Sequence, residues 1–418
     1  MSKRNGRTPH FFQPVPRGDS RGRLLLILTG AMVLLGNVFV ASASEGQTSA
    51  TGGTPTSIWT HSVAYTVIGM FAVLIVSKIQ LDKLLRLSPI LMIGSFIALA
   101  LVAKWGITVN GGQRWLNLKV IIFQPSELFK LATVLYLGLV IQKNYLTLGK
   151  PKVLLMWVSP VILGVGLILL EPDMGTSSMV IAIALTMLIV AGMSRKFTAT
   201  AFGGLFIGLV GFVALKSYAW SRFTSFLHYG QFQHSLNYQI DQSKTAIGSG
   251  GIIGLGFGHS RAKWGLLPNP HTDFIFSILS EEMGLIGSVL VIALFAWFLL
   301  VSVRIAARCT NQAYRYVAMG ITVWIALEAV INIASVMGWW AVTGIPLPFF
   351  SYGGTSLIME MVAVGILYNI ANDRSESKDL TIREYRKVHE PVSIRHYSQE
   401  RASRHAPVST VRRPQPRY

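Results

Sequence analysis

The chain is 418 residues long, 51% hydrophobic and only 13% charged, with a single cysteine and a formal net charge of +19. Its mean hydropathy is +0.50, whereas a soluble chain of this length carries about a quarter charged residues. A water-soluble globular protein is thereby excluded, and the lone Cys309 excludes a disulfide framework or a cysteine-rich metal site.

Residues 1–23 form a basic tail with Lys3, Arg4, Arg7, Arg17, Arg21 and Arg23. The first apolar run, 24–43, ends in Ala41-Ser42-Ala43, which looks like a signal-peptidase site. The run is longer than a signal core and nine more follow, so it reads as an uncleaved span. Those runs are 59–79, 87–105, 126–142, 152–170, 174–193, 198–215, 273–303, 314–338 and 350–371. A helix near 20 residues long crosses a bilayer core of roughly 30 Å and satisfies its own backbone in lipid. The expected fold is all-α, a polytopic membrane domain over 24–372 with about ten transmembrane helices. Spans 126–142 and 174–193 are the weakest, each interrupted by polar residues.

Orientation follows from Lys and Arg in short loops. Loops 78–86, 143–152, 194–197 and 304–315 are basic, whereas 44–58 and 339–349 carry no Lys or Arg. Both termini are therefore expected in the cytoplasm. Loop 106–125 breaks the pattern, since it falls outside yet carries Arg114 and Lys119. Loop 216–272 is the one long connection, also outside, and a loop of that length inside a compact fold usually binds or covers something. The tail 373–418 mixes both charge signs with Pro, Ser and His and reads as disordered. Basic tails beside a membrane meet anionic lipid or a partner protein, and no nucleic acid is expected.

Polar groups recur where lipid should be, and ionisable residues in spans mark a pathway or a site. In QPSELFK (124–130), Glu127 and Lys130 are three apart and share a helix face. EPDMGT (171–176) sets Glu171 and Asp173 in a short outside turn. The glycine-rich segment 238–265 has neither P-loop nor dinucleotide-fold spacing. It is flanked by Gln242 and Lys244, then by His259, Arg261 and Lys263, a set suited to an anionic ligand or simply to tight turns. LLPNPHTDFIF (266–276) brings His271, Thr272 and Asp273 to the head of a span. On local sequence Asp273 is either a helix N-cap or a chemical group. At 100° per residue Glu281 lies about a quarter turn from Asp273, and Glu282 lies nearly opposite. A regular helix cannot aim both at one pocket, although Gly284 and Gly287 permit distortion. Pairing with a neighbouring Lys or Arg is the ordinary role for both. TGIPLPFFSYGGTS (343–356), with Ser351, is a broken segment, tolerated only when buried or lining a cavity.

Together GGQRWLNL, FQPSELFKL, EPDMGT, QSKTAIGSGGIIGLGFGHS, LPNPHTDFIFSILSEEMG and TGIPLPFFSYGGTS resemble the shape, elongation, division and sporulation family of bacterial membrane proteins, which includes FtsW and RodA. The likeness runs from 24 to about 372, departing at Trp340-Ala341, where relatives show a Leu-Pro-like pair. SRAKWGLLPNPHTDFIF is closer to the division members than to the elongation members. The resemblance implies a peptidoglycan glycosyltransferase that joins lipid II into glycan strands at the outer face of the cytoplasmic membrane, at the division septum, by inverting displacement of undecaprenyl diphosphate. Its catalytic carboxylate falls on Asp273, acting on the GlcNAc 4-hydroxyl as general base. Arg114, Lys119, Gln242, Lys244, Arg261, Lys263, His271 and Ser351 are the substrate-binding candidates. Glu127, Lys130, Glu171, Asp173, Glu281 and Glu282 are the supporting polar groups. A divalent cation, Mg or Mn, is compatible with the leaving diphosphate, but no spacing is specific enough to assert a metal site. The partners it implies are lipid II, the undecaprenyl-linked strand, a class B penicillin-binding protein and other division proteins. An elongation-type polymerase, a lipid II flippase and a scaffold are the competing readings.

Overall fold

The computed structural model describes residues 20–51, 57–109, 112–117, 122–144, 151–193 and 236–373, with isolated positions 203, 204 and 211. The chain divides into two units, Met1–Asn372 and Asp373–Tyr418, and of the second only Asp373 is described. The helices are α1 (Ser20–Thr51), α2 (Ser57–Val76), α3 (Leu81–Trp105), α4 (Pro125–Asn144), α5 (Pro151–Leu170), α6 (Met174–Val190), α7 (Leu236–Ser249), α8 (Ile275–Arg308), α9 (Gln312–Val336) and α10 (Thr355–Asn372). Nine of the ten expected spans are helices; the seventh, 198–215, lies outside the described residues except at positions 203, 204 and 211.

Seven of these helices are long and apolar enough to cross a membrane: α1, α2, α3, α5, α8, α9 and α10. The remaining two, α4 and α6, are the spans that the sequence marks as interrupted. Position explains α4. It packs against α3, α5, α6, α9 and α10 and is buried nearly all round. Glu127 and Lys130 on it therefore meet protein, not lipid. By contrast, α2 and α3 expose Ile68, Met70, Phe71, Ile90, Ile93 and Ile97, the apolar surface that a bilayer contacts.

Two connections hold structure that was expected to be loop. Residues 107–109, 112–117 and 122–123 form a small antiparallel sheet, β1 (Ile107–Val109), β2 (Gly112–Asn117) and β3 (Ile122–Phe123). Its register pairs Thr108 with Gln113 and Leu116 with Phe123. Within 216–272 lies α7, which packs on α8 and α9.

Helix α8 is broken at Gly284, where φ is 65° and ψ is −162°. The break turns backbone groups of α8 toward the glycine-rich segment. Leu285 and Ile286 donate to the carbonyls of Gly251 and Ile252 at 2.9 and 3.2 Å, while Leu255 and Gly256 donate to those of Glu281 and Glu282 at 3.0 Å. Backbone outside a helix must find such partners near lipid. Only glycine fits here: a Cβ on Gly284 would stand 2.4 Å from the Gly254 nitrogen, and positive φ strains any other residue. Gly284→Ala should lower stability by about 2 kcal/mol or more, read as an earlier thermal midpoint in detergent. An unchanged midpoint would show that the break is dispensable.

Candidate active site

A cavity of about 310 Å³ opens at the end of the bundle opposite the basic loops. Its wall draws on α2 (Tyr65), the small sheet (Ile107, Arg114, Trp115, Ile122), the start of α4 (Gln124, Glu127, Lys130) and the α5–α6 turn (Asp173, Thr176). Residues 269–273 and 344–356 complete it, including Asp273, Gly344, Tyr352 and Ser356. Segments separated by more than 200 residues thus meet around one hollow.

Asp273 is half-buried and lines the cavity. Its Oδ2 lies 3.6 Å from where a Cβ on Gly344 would stand, so the carboxylate faces bare backbone. Neither capping alternative is realised. Helix α8 starts at Ile275, its N-cap position is Phe274, and no side chain caps it. The turn before it is shaped by Asn269, at φ 52°, whose carbonyl accepts from the Thr272 amide at 3.2 Å. Ser351 does not line the cavity. Its hydroxyl donates to the Thr272 carbonyl at 2.7 Å and accepts from the Leu347 amide at 2.8 Å. His271 is buried behind the wall, its ring 5.6 Å from that of Tyr352. Burial pushes its pKa down to about 4, so it is a neutral packing group near pH 7.

Asp173 is the true cap of the pair. It accepts from the Thr176 amide at 3.1 Å and from the Thr176 hydroxyl at 2.9 Å. Arg114 reaches it at 3.8 Å and also donates to the carbonyls of Glu171 and Pro172. The arginine is thus held by the 171–173 turn and presented at the cavity wall. Glu171 is buried without a hydrogen-bond partner for either carboxylate oxygen. Burial, then the charge of Asp173, raises its pKa to about 8 against the pull of Arg114.

Beneath the cavity Lys130 pairs with Glu127 at 2.8 Å and with Glu328 of α9, and its ammonium stands 5.1 Å from the Trp324 ring centroid. Glu360 of α10 is buried nearby in the bundle and accepts from the Phe349 amide at 2.8 Å. Sequence reasoning paired Glu127 with Lys130 correctly but missed Glu328, Glu360 and Asn332. Each is a polar residue inside an apolar span, which was the available signal.

Several candidates lie elsewhere. Lys263 is fully buried, its ammonium bound by Glu45 at 2.7 Å, the Gly258 carbonyl at 2.8 Å and Ser42 at 3.3 Å, so it locks the end of α1 to the loop and does not reach the cavity. Arg261 is exposed, Lys244 packs against Gly338, and Gln242 is half-buried on α7; none lines the cavity. Lys119 lies outside the described residues. Glu281 and Glu282 do not depend on Lys or Arg side chains for their hydrogen bonds. Glu281 accepts from the Ser260 hydroxyl at 2.5 Å and from the amides of Arg261 and Ala262 at 3.1 and 3.2 Å. Glu282 accepts from the Ser42 hydroxyl at 2.5 Å and the Ser260 amide at 3.4 Å. Both reach Ser260 because the loop folds over them just before the break at Gly284. Among the described residues no cluster of three or more His, Cys, Asp or Glu could hold a metal ion.

A lipid-embedded helical bundle with a cavity at one end, an aspartate and an arginine on its wall, is a multi-pass membrane protein built to act on a ligand at the membrane surface. Residues 22–376 match the cell cycle protein family of FtsW, RodA and SpoVE, and the chain belongs to that family. It is 35% identical over 356 residues to the probable peptidoglycan glycosyltransferase FtsW of Coxiella burnetii, covering 83% of this chain and 95% of that one. It is equally similar, 35% over 356 residues, to the stage V sporulation protein E of Bacillus subtilis, covering 83% and 96%. The crystal structure of the rod shape determining protein RodA of Thermus thermophilus superposes with a TM-score of 0.62 at 26% identity, over 84% of this chain and 97% of that one. A chain of a peptidoglycan synthase complex that coordinates polymerization and crosslinking shares the fold, with a TM-score of 0.72 at 24% identity over 87% of this chain.

Two outcomes follow from the electrostatics. Lys130→Met leaves Glu127 and Glu328 buried without their cation, and breaking such a pair costs about 3–5 kcal/mol. The variant should therefore lose most of its folded population in detergent, and a near-normal thermal midpoint would contradict the arrangement. For Glu171 the folded pKa, about 8, exceeds the ordinary 4.5. Its stabilising effect is therefore full below pH 4.5 and is lost as pH rises through 8. His271, lowered from 6.5 to about 4, acts oppositely, removing stability as pH falls through that window. Thermal midpoints from pH 7 to 9 should fall less steeply in Glu171→Gln than in the parent.

Proposed function

We propose that this protein polymerises lipid II into peptidoglycan glycan strands during cell division, with Asp273 as the general base. The observation that carries the reading is the place of Asp273, on the wall of the cavity and not in a helix cap. The basic stretches 78–86 and 304–315 lie at the other end of the bundle, which under the positive-inside rule supports an outer-face position for the cavity. Relatives named as peptidoglycan glycosyltransferases and the family's description as cell cycle proteins support the activity and the division role.

The reaction needs little from the protein beyond positioning, one base and one cation. The Asp273 carboxylate takes the proton of the GlcNAc 4-hydroxyl as that oxygen bonds to C1 of the growing strand. The bond from C1 to the undecaprenyl diphosphate oxygen breaks on the opposite side, so the anomeric centre inverts. A carboxylate within roughly 3 Å of the hydroxyl serves as the base. The departing diphosphate gains negative charge, which Arg114 on the cavity wall stabilises. The start of α10, Thr355 and Ser356, adds the positive end of a helix dipole to the same wall.

The polyprenyl chains need an apolar route. Helices α2 and α3 are consecutive yet scarcely touch, α2 lying on α10 and α3 on α4. The cavity wall includes Tyr65 of α2 beside Ile107 and Ile122, and we propose this side as the route by which the lipid leaves the hollow for the bilayer. A class B penicillin-binding protein is the partner that crosslinks the strands.

Asp273→Asn keeps the shape and removes the base. Purified protein with lipid II in detergent should then lose polymer by about 100-fold or more at normal membrane levels. Full activity would leave Asp273 without a chemical role. Wild-type protein that yields no polymer but moves lipid II across vesicles would make it a flippase.

A further inference from the structure

We propose that Asn332, on α9, is a positioning residue that sets where the Asp273 carboxylate stands in the cavity. This rests on the reading of Asp273 as the base. Asn332 is 2% exposed. Its amide nitrogen donates to the Asp273 carbonyl at 2.9 Å and to the Ile345 carbonyl at 2.8 Å. One side chain thus ties together two stretches of backbone that lie 59 and 13 residues away from it in sequence.

The two carbonyls are the ones that matter geometrically. Asp273 carries the carboxylate. Ile345 follows Gly344, whose missing side chain leaves the space beside Asp273 Oδ2 open. Asn332 therefore fixes the separation between the carboxylate-bearing residue and the wall it faces. The fixation is reinforced along the turn. The His271 carbonyl accepts from the Tyr352 amide at 2.9 Å, and the Thr272 carbonyl accepts from the Ser351 hydroxyl at 2.7 Å. Three consecutive carbonyls, 271 to 273, are thus held by donors from outside the turn, and only the third is held from a transmembrane helix.

The acceptor end of Asn332 points to the same role. Its Oδ1 is buried with no hydrogen-bond partner, an arrangement that a leucine of similar volume would avoid. What a leucine would lose is the pair of donors. Asn332 also stands four residues after Glu328, so one face of α9 holds both the ion pair to Lys130 and the turn that bears Asp273. The backbone that bears the carboxylate is anchored to α9, while the side chain reaches the cavity. A base displaced by about 1 Å loses on the order of 100-fold in rate, because proton transfer depends on reach while substrate binding is spread over the whole cavity.

The test is steady-state polymerisation of lipid II by full-length protein in detergent, comparing wild type, Asn332→Leu, Asn332→Asp and Asp273→Asn, each normalised to folded protein. Hydrogen exchange of the peptide spanning 271–276 is read in parallel. With Asp273→Asn inactive, Asn332→Leu should lower kcat ten-fold or more, leave KM within two-fold, and speed exchange in that peptide alone. If the leucine variant does not accumulate, Asn332→Asp, which keeps the volume and replaces the donating amide, decides by the same criteria. A kcat within two-fold of wild type overturns the proposal while leaving Asp273 as the base. So does a KM that rises in step with the loss of kcat, since that marks a general collapse of the cavity. If Asp273→Asn itself polymerises normally, the reading of the base falls first and the positioning role goes with it.

Discussion

The contact between α4 and α9 through Lys130 is the interaction on which the rest is arranged. A single ammonium bridges Glu127 and Glu328, with all three side chains nearly fully buried. Such groups are costly in lipid and tolerable only when each meets the other. Once they meet, α4 must sit at the centre of the bundle and α9 beside it. That placement carries the head of α4, with Gln124 and Glu127, to the base of the cavity and leaves the upper turn of α9 next to the segment before α8. The charged cluster acts as a register pin between two helices whose apolar surfaces alone would allow sliding.

Above that pin the architecture departs from regular helices, and each departure is answered by a backbone partner. The break at Gly284 turns carbonyls and amides of α8 to the glycine-rich segment. Phe349 sits at φ 64°, an unusual value for an aromatic residue, with its amide on Glu360 and its ring 5.5 Å from that of Phe298. Helix α1 approaches so closely there that a Cβ on Gly36 would stand 2.4 Å from the Phe349 carbonyl oxygen. Irregular backbone at this depth persists because protein encloses it.

Much of this was readable in the sequence, and the limits have physical causes. Hydropathy locates spans because lipid demands long apolar helices, and it marked α4 and α6 as weak for the right reason: polar residues within them face protein. Asp273 stood out because a carboxylate at the head of a span needs a purpose. The partner of Lys130 was invisible because Glu328 is distant in sequence, and no local spacing joins α4 to α9. The cations of the glycine-rich segment misled for the converse reason. Lys263 looked like an anion site beside flexible backbone, yet a lysine that can reach Glu45 and a carbonyl forms an internal lock. Composition of a loop gives the charge available, while packing decides whether a ligand ever meets it. The small sheet over 107–123 was hidden because its strands are only three, six and two residues long.

The cavity holds two aspartates, and their surroundings separate their roles. Asp173 is nearly fully buried, spends its oxygens on the Thr176 amide and hydroxyl, and stands opposite Arg114. Asp273 caps no helix, is half-buried on the cavity wall, and has its backbone, not its side chain, held by Asn332. Holding the backbone fixes where Asp273 stands on the cavity wall. Arg114 gains from the opposite treatment. With the 171–173 turn gripping it by two carbonyls and one carboxylate, its charge is presented at the wall without freedom to collapse onto Asp273.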